Sequence, residues 1–256
     1  MRDIERVITL APHVTEMVFA AGAGHKLVAT VTASNYPPEA RTVSRVGDGL
    51  SINAEQLLTL KPDLIIGWQE TLAIQKLAPV LSSMNIPVMY SEPHRLDDIA
   101  DDIERLGARL GTASTARDTA RTLRRQLANL RKTYAHRTPV SVFIEVGTHP
   151  LYTLGADPLT NDAIASCGGV NVFGKMGVVA PAIPAESVLV HNPDVVIIAD
   201  ARTDRVRRRA HAWAGLQLEA ARNQHVYGID PDMLVRPGPR LIEATRQLCE
   251  FLDRAR

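Results

Sequence analysis

The chain has 256 residues, 45% apolar and 22% charged, enough for a sizeable core and too apolar for a disordered chain. Its 29 basic and 28 acidic residues nearly cancel, to a net charge of +1, so the basic surplus on which nucleic-acid binding relies is missing. No apolar run approaches the ~20 residues that a membrane-spanning helix needs.

The first six residues are mostly charged, and no apolar leader with a small-residue cleavage site precedes the first strand. The sequence therefore reads either as a cytosolic protein or as a chain whose leader has been removed. Val7–Leu10 reads as that strand, and Thr15–Ala21 as an amphipathic helix ended by Gly22. Val28–Val31 is a second strand. Ala54–Leu60 is a short helix stopped by Lys61-Pro62, and Leu64–Ile66 and Val88–Tyr90 are buried strands. This alternation of strand and helix predicts a parallel sheet with helices on its faces. The second half repeats it. Val140–Val146 and Val195–Ala199 read as strands, and Thr160–Cys167, Glu186–His191 and Arg240–Arg254 as helices.

Between the halves, Ala116, Ala120, Leu123, Leu127, Leu130 and Tyr134 form one apolar stripe within a helix predicted over Ser114–Arg137. Arginines such as Arg117, Arg121 and Arg125 occupy its opposite face, and Thr138-Pro139 ends it. A helix of this length reads as a stiff spacer tying two lobes together, or as an ordinary helix covering one sheet. An internal echo favours two lobes. Glu55 stands before Pro62-Asp63 as Glu186 stands before Pro193-Asp194, and each Pro-Asp opens a buried apolar strand. Two similar lobes facing each other leave a ligand cleft, with binding loops past the carboxyl ends of the strands.

Catalytic signatures are missing: no nucleophile elbow, no phosphate-binding loop and no zinc-protease helix motif, and Gly22-Ala-Gly24 is not followed by a third glycine. Cys167 has no evident base partner, and Gly168-Gly169 after it read as a helix stop. Eight histidines are scattered without metal-ligand spacing. His13, just past the first strand, is a surface or loop histidine, a polar ligand contact, or an axial ligand to a metal in a macrocycle. Tyr36, Trp68, Tyr152 and Arg236 fall at strand ends among Pro and Gly. Flat rings on such loops suit stacking on a flat ligand; the alternative is a hydrophobic lid over each sheet end. The cluster Arg202, Arg205, Arg207, Arg208 and Arg209 reads as a solvated helix face, with an anion-binding patch as the alternative. Cys167 and Cys249 are two buried thiols in a reducing compartment, or one bridge closing 82 residues and worth roughly 4 kcal/mol in an oxidising one.

The segments Arg6–Pro12 with Thr15-Glu16, Ser34–Ala40, Leu60–Trp68, Cys167–Phe173 and Arg240–Cys249 together carry a resemblance over nearly the whole chain. The chain resembles the long-helix (class III) substrate-binding proteins of bacterial ABC importers, and within them the cobalamin (vitamin B12)-binding members. The resemblance implies two Rossmann-like α/β lobes with parallel central sheets, joined by one long backbone helix. The lobes would be 1–110 and 139–256 and the helix 111–138. It implies a periplasmic, monomeric transport receptor with no catalysis and no intrinsic cofactor or metal. Such a receptor captures cobalamin or a related cobalt-containing corrinoid and delivers it to the permease and ATPase complex of the inner membrane. By the same resemblance, Tyr36 stacks near the nucleotide base of the corrinoid. Trp68 and Tyr152 pack on the ring, and Asp232 and Arg236 bond its amides. Glu55 and Glu186 meet arginines of the permease, and Cys167 and Cys249 form a disulfide.

The chain departs from that pattern where ring-facing tryptophans fall at Gly49 and near Ala180, and where His13 replaces a small polar residue. These changes leave room for haem or a metal-siderophore chelate, with His13 as a haem-iron ligand. The competing readings from other classes are a cytosolic α/β enzyme and a cytosolic regulator with free thiols.

Overall fold

The computed structural model describes residues 3–256. The chain divides into two compact units. One consists of Met1–Pro93, Asp97–Arg124 and Pro237–Pro239, the other of His94–Leu96, Arg125–Arg236 and Arg240–Arg256.

In the first unit the elements run β1 (Val7–Thr9), α1 (Pro12–Ala20), β2 (Leu27–Thr30), β3 (Ser44–Arg45), α2 (Ala54–Thr59), β4 (Leu64–Gly67), α3 (Leu72–Ser83), β5 (Val88–Tyr90) and α4 (Leu96–Leu110). The strands form one parallel sheet in the order β3-β2-β1-β4-β5, with Val7, Ile8 and Thr9 opposite Leu64, Ile65 and Ile66. Val7, Ile8, Leu64, Ile65 and Ile66 are all fully buried, so both faces of the central strands are covered. That is why these strands read as unbroken apolar runs rather than as alternating ones. On one face Ile8, Leu10, Ala29, Val31 and Ile65 pack with Leu57 of α2 and Ile74, Leu77 and Leu81 of α3. Side-chain caps fix where these helices start. Gln56 N–H donates to Asn53 at 3.0 Å, and Ile74 N–H to Thr71 at 3.3 Å.

Helix α5 (Ala113–Tyr134) follows, 22 residues and therefore about 33 Å long. Ala116, Ala120, Leu127 and Leu130 of its stripe are buried, and Arg117, Arg121 and Arg125 are exposed. Its residues up to Arg124 belong to the first unit and those from Arg125 to the second.

The second unit continues with β6 (Val140–Thr148), β7 (Leu151–Thr153), α6 (Pro158–Ser166), β8 (Gly169–Asn171), α7 (Ala185–His191), β9 (Val195–Ala199), α8 (Thr203–Gly215), α9 (Glu219–Arg222), β10 (Val226–Ile229), α10 (Pro231–Leu234) and α11 (Arg240–Asp253). The sheet order is β10-β9-β6-β7, with β8 alongside the first half of β6. Only β7 runs antiparallel. Phe143, Val196, Ile198, Val188 and Trp213 form the core of one face. Cys167, at the end of α6, is disulfide-bonded to Cys249 of α11, and both are fully buried. This settles the alternatives open at the level of sequence in favour of the bridge. Gly168, just past Cys167, has φ +67°, and a Cβ there would lie 2.5 Å from the Tyr134 carbonyl oxygen, so the helix stop requires glycine.

The internal echo is structural. Lys61 and Asn192 both leave their helices with left-handed φ, 45° and 38°. Asp63 Oδ2 accepts the backbone N–H groups of Glu5 and Arg6 at 3.0 Å, just before β1. Asp194 Oδ2 accepts Ser141 N–H at 2.7 Å and its hydroxyl at 2.6 Å, at the start of β6. In each unit this carboxylate clamps the first strand to the strand that follows the Pro-Asp pair.

The structure extends the predicted elements in several places. Helix α1 starts at Pro12 rather than Thr15, because proline suits the first helical turn, where its missing N–H has no partner to lose. Helices α3, α4, α9 and α10 and strands β3, β7, β8 and β10 have no counterpart among the predicted elements, whereas α8 bears the arginine cluster read as a helix face. Pro79 lies inside α3, where a proline forfeits a backbone hydrogen bond and weakens the helical signal. The short β7 and β8 are held by β6 rather than by any apolar pattern of their own. Among the described residues, no helix is long and apolar enough to cross a membrane.

Candidate functional site

In the first unit the chain leaves β1 toward β2 on one side of the sheet and β4 toward β5 on the other. Adjacent parallel strands whose connections diverge in this way open a crevice past their carboxyl ends, where ligands bind. The four residues of this unit singled out for the ligand or for a departure from the family pattern all lie at that end. His13 follows β1, Tyr36 follows β2, Gly49 follows β3 and Trp68 follows β4. Buried hydroxyls brace the loops. Thr15 Oγ1 lies 2.7 Å from Thr9 Oγ1 and 2.8 Å from Ser34 Oγ, and Arg45 Nη2 donates to the Ser34 carbonyl at 2.8 Å. Tyr36 and Trp68 nevertheless keep 43% and 42% of their surface exposed. Large rings held open on a braced frame are suited to stacking on a flat ligand.

His13 is not a surface or loop residue. It is the second residue of α1 and only 2% exposed. Its ring meets Trp68 edge to face, centroids 5.6 Å apart at 86°, and its Nε2 lies 3.4 Å from the Ser91 carbonyl oxygen. Gly238 comes so close that a Cβ there would sit 3.2 Å from His13 Cβ. A histidine enclosed in this way props Trp68 and is not presented as an axial ligand. Gly49 has φ +95°, a conformation that strains any residue with a side chain, so the turn disfavours a tryptophan at this position. Asp48 holds the turn by accepting Ser51 N–H at 2.8 Å and Leu50 N–H at 2.9 Å. Those two bonds, Ser51 first, keep its carboxyl below the ordinary range.

In the second unit the residues again gather at the carboxyl ends of the parallel strands. Tyr152, on β7, is 38% exposed, and its ring would touch a Cβ placed on Gly147 at 3.2 Å. Asp232 and Arg236 follow β10 and pair one helical turn apart, Nη2–Oδ1 2.5 Å. Asp230 caps α10 by accepting Asp232 N–H at 2.9 Å. Beneath this end Glu145, almost wholly buried, accepts Trp213 Nε1–H at 2.7 Å and two N–H groups of Arg209. Arg209 is therefore not part of a solvated face, whereas Arg202, Arg205, Arg207 and Arg208 are exposed. Glu55 and Glu186 are exposed in the first turns of α2 and α7.

Sequence reasoning passed over exposed aliphatics. Leu50, beside Gly49, is 89% exposed, and Val178 and Val179, beside Ala180, are also exposed. A lone aliphatic on a loop carries no pattern, and only the structure shows that these project to solvent. Among the described residues, no group of three or more His, Cys, Asp or Glu is placed to hold a metal ion.

Residues 7–233 match the family model for periplasmic binding proteins. The vitamin B12-binding protein of Vibrio cholerae serotype O1 is 37% identical over 250 residues, covering 97% of this chain and 89% of the relative. The crystal structure of the periplasmic vitamin B12-binding protein of Vibrio cholerae superposes with a TM-score of 0.89 at 37% identity, covering 98% of each chain. The periplasmic haem-binding protein of Roseiflexus sp. RS-1 superposes with a TM-score of 0.84 at 25% identity, covering 99% of this chain and 100% of that one.

Proposed function

The chain belongs to the periplasmic binding protein family, and from that premise we propose that it is the substrate-binding component of an ABC importer for cobalamin or a related corrinoid. One observation carries this reading: the likeness to a vitamin B12-binding protein extends over nearly the full length at 37% identity. The likeness to a haem-binding protein is equally long but only 25% identical. The enclosure of His13 also removes the side chain on which a haem assignment rested.

On this reading Tyr36 and Trp68 in the first unit, and Tyr152 in the second, pack against the cargo. Asp232 and Arg236 bond its peripheral amides. Where the family's further tryptophans are replaced, Leu50, Val178 and Val179 supply apolar contact. The protein works as a monomer in the periplasm, carries its cobalt-containing cargo without chemical change, and needs no cofactor of its own. It docks through Glu55 and Glu186 on the permease and ATPase complex, where opposed charges steer and orient the encounter.

The test is spectroscopic. Protein incubated with cyanocobalamin and then desalted should carry the corrinoid absorption with it, and titration should quench tryptophan emission in a saturable way. A flat titration at micromolar ligand, with no colour retained, refutes the assignment.

A further inference from the structure

The second unit has a crevice of its own at the point that corresponds to the His13–Trp68 corner of the first. Strand β6 continues toward β7 and β8 on one side of the sheet, and β9 toward β10 on the other. Between their carboxyl ends lies an open cavity of about 490 Å³. Its size is that of a small-molecule site, and its position is where parallel sheets receive ligands.

Three guanidinium groups, those of Arg205, Arg208 and Arg209, line this cavity against two carboxylates, Glu145 and Asp200. Both carboxylates are engaged. Glu145 is held by Arg209 and Trp213. Asp200 accepts Arg202 N–H at 2.9 Å, Nε at 3.1 Å and Nη2 at 3.2 Å, and Arg205 Nη1 reaches it only at 3.5 Å. Arg208 pairs with Asp204 at 2.8 Å, but both side chains are well exposed, so that pair is weak. A guanidinium has five N–H donors. Arg205 and Arg208 therefore keep donors for a ligand, and the lining carries one positive charge in excess. Gly147, also in the lining, pairs with Tyr152 of β7, so an aromatic residue neighbours the charge.

We propose that this cavity is an anion subsite that takes the phosphodiester of the corrinoid's nucleotide loop through Arg205 and Arg208. The assignment rests on the corrinoid reading and deepens it. A phosphodiester is a monoanion with two acceptor oxygens, which matches both the excess charge and the paired donors of a guanidinium. The arginine cluster of α8 thereby acquires a role beyond solvation.

The experiment compares cobalamin with cobinamide, which has the same corrin ring but lacks the phosphodiester and base. Dissociation constants are measured for the wild type, Arg208→Gln, and the double variant Arg205→Gln/Arg208→Gln, with unfolding temperatures confirming the fold of each. Arg209 is left intact because Glu145 depends on it. The double variant should bind cobalamin about tenfold or more weakly while cobinamide affinity shifts by less than about twofold, with the single variant between. Equal losses for both ligands, or no loss for either, overturn the proposal. Inorganic phosphate at millimolar concentration should compete with cobalamin and not with cobinamide. If phosphate alone stabilises the wild type while the variants keep full cobalamin affinity, the site is one for free phosphate and the proposal fails. A wild type that binds neither corrinoid overturns the corrinoid reading, and this proposal with it.

Discussion

Glu55 and Glu186 hold the same place in two copies of one structural unit. Each is the second residue of a short helix that a left-handed residue and a Pro-Asp pair lead into a strand parallel to the unit's first strand. Both side chains are exposed, and neither belongs to the groups assigned to the cargo. Reversing them, Glu55→Lys with Glu186→Lys, should abolish corrinoid uptake in cells that carry the cognate permease while leaving the cyanocobalamin dissociation constant within about twofold. Each single reversal should slow uptake. Uptake at the wild-type rate in the double variant would remove the docking role.

The contact between His13 and Trp68 makes a graded prediction. Trp68→Ala deletes a ring proposed to lie on the cargo and should weaken cyanocobalamin binding by about 1–3 kcal/mol, or roughly 5- to 150-fold. His13→Ala removes only the edge-to-face prop, worth about 0.5–1.5 kcal/mol, and should weaken binding less while changing the Trp68 emission maximum. Trp213 is fully buried, so the change reports Trp68. Haemin spectra of the wild type and of His13→Ala should coincide; a Soret band present only in the wild type would restore a ligating role to His13.

How much of this was legible in the sequence depends on whether a residue acts through its own pattern or through neighbours distant in the chain. The central strands were legible because burial on both faces demands unbroken runs such as Leu64-Ile65-Ile66. Helix α5 was legible from a single stripe, and the echo around Pro62 and Pro193 from repeated residue types. The exposure of Tyr36 and Trp68 agrees with their place on loops at strand ends, whereas Tyr152 lies on the short strand β7, which no apolar pattern announced. The enclosure of His13 was not legible, because it depends on Ser91, Trp68 and Gly238, all remote in the chain. Arg209 was misread for the same reason: its partner Glu145 lies 64 residues away. The turn at Gly49 is intermediate, since a Gly-Asp-Gly run announces a turn but not the φ that disfavours a tryptophan in it.

The disulfide should be a principal element of stability in the second unit. Cys167 and Cys249 close 82 residues, and the chain-entropy model then assigns about 4 kcal/mol to the bridge. Cys167→Ser with Cys249→Ser, or reduction of the wild type, should lower the free energy of unfolding in guanidinium by about that amount. Cobalamin should still bind at low temperature, because neither cysteine is among the residues assigned to the cargo. A loss below about 1 kcal/mol would show that the packing of α6 on α11 suffices without the bond.

Glu145 is more exacting, because its carboxylate is buried and its charge is met by Arg209. Arg209→Gln strands that charge and should cost about 3–5 kcal/mol. Changing both residues, Glu145→Gln with Arg209→Gln, should recover much of the loss. Denaturation of the four members of this cycle measures the coupling. Equal stability of the Arg209 variant and the wild type would mean that the pair is not formed.

Acid should weaken the first unit through Glu104. Arg124 donates to both of its oxygens, Nη1–Oε1 at 3.0 Å and Nη2–Oε2 at 2.8 Å, and this pairing holds the carboxyl below its ordinary value of 4.5. A carboxylate whose folded pKa is depressed contributes stability above its unfolded pKa and loses it as pH falls through the folded one. The side chains are about one-third exposed, so solvent screening limits the contribution to at most about 1 kcal/mol. The urea midpoint of Glu104→Gln should therefore lie slightly below that of the wild type at neutral pH. The gap should close as the pH drops well below 4.5, where the wild-type carboxyl is protonated in both states. A gap that persists in acid would mean that the substitution acts through packing of α4 on α5 rather than through the ion pair.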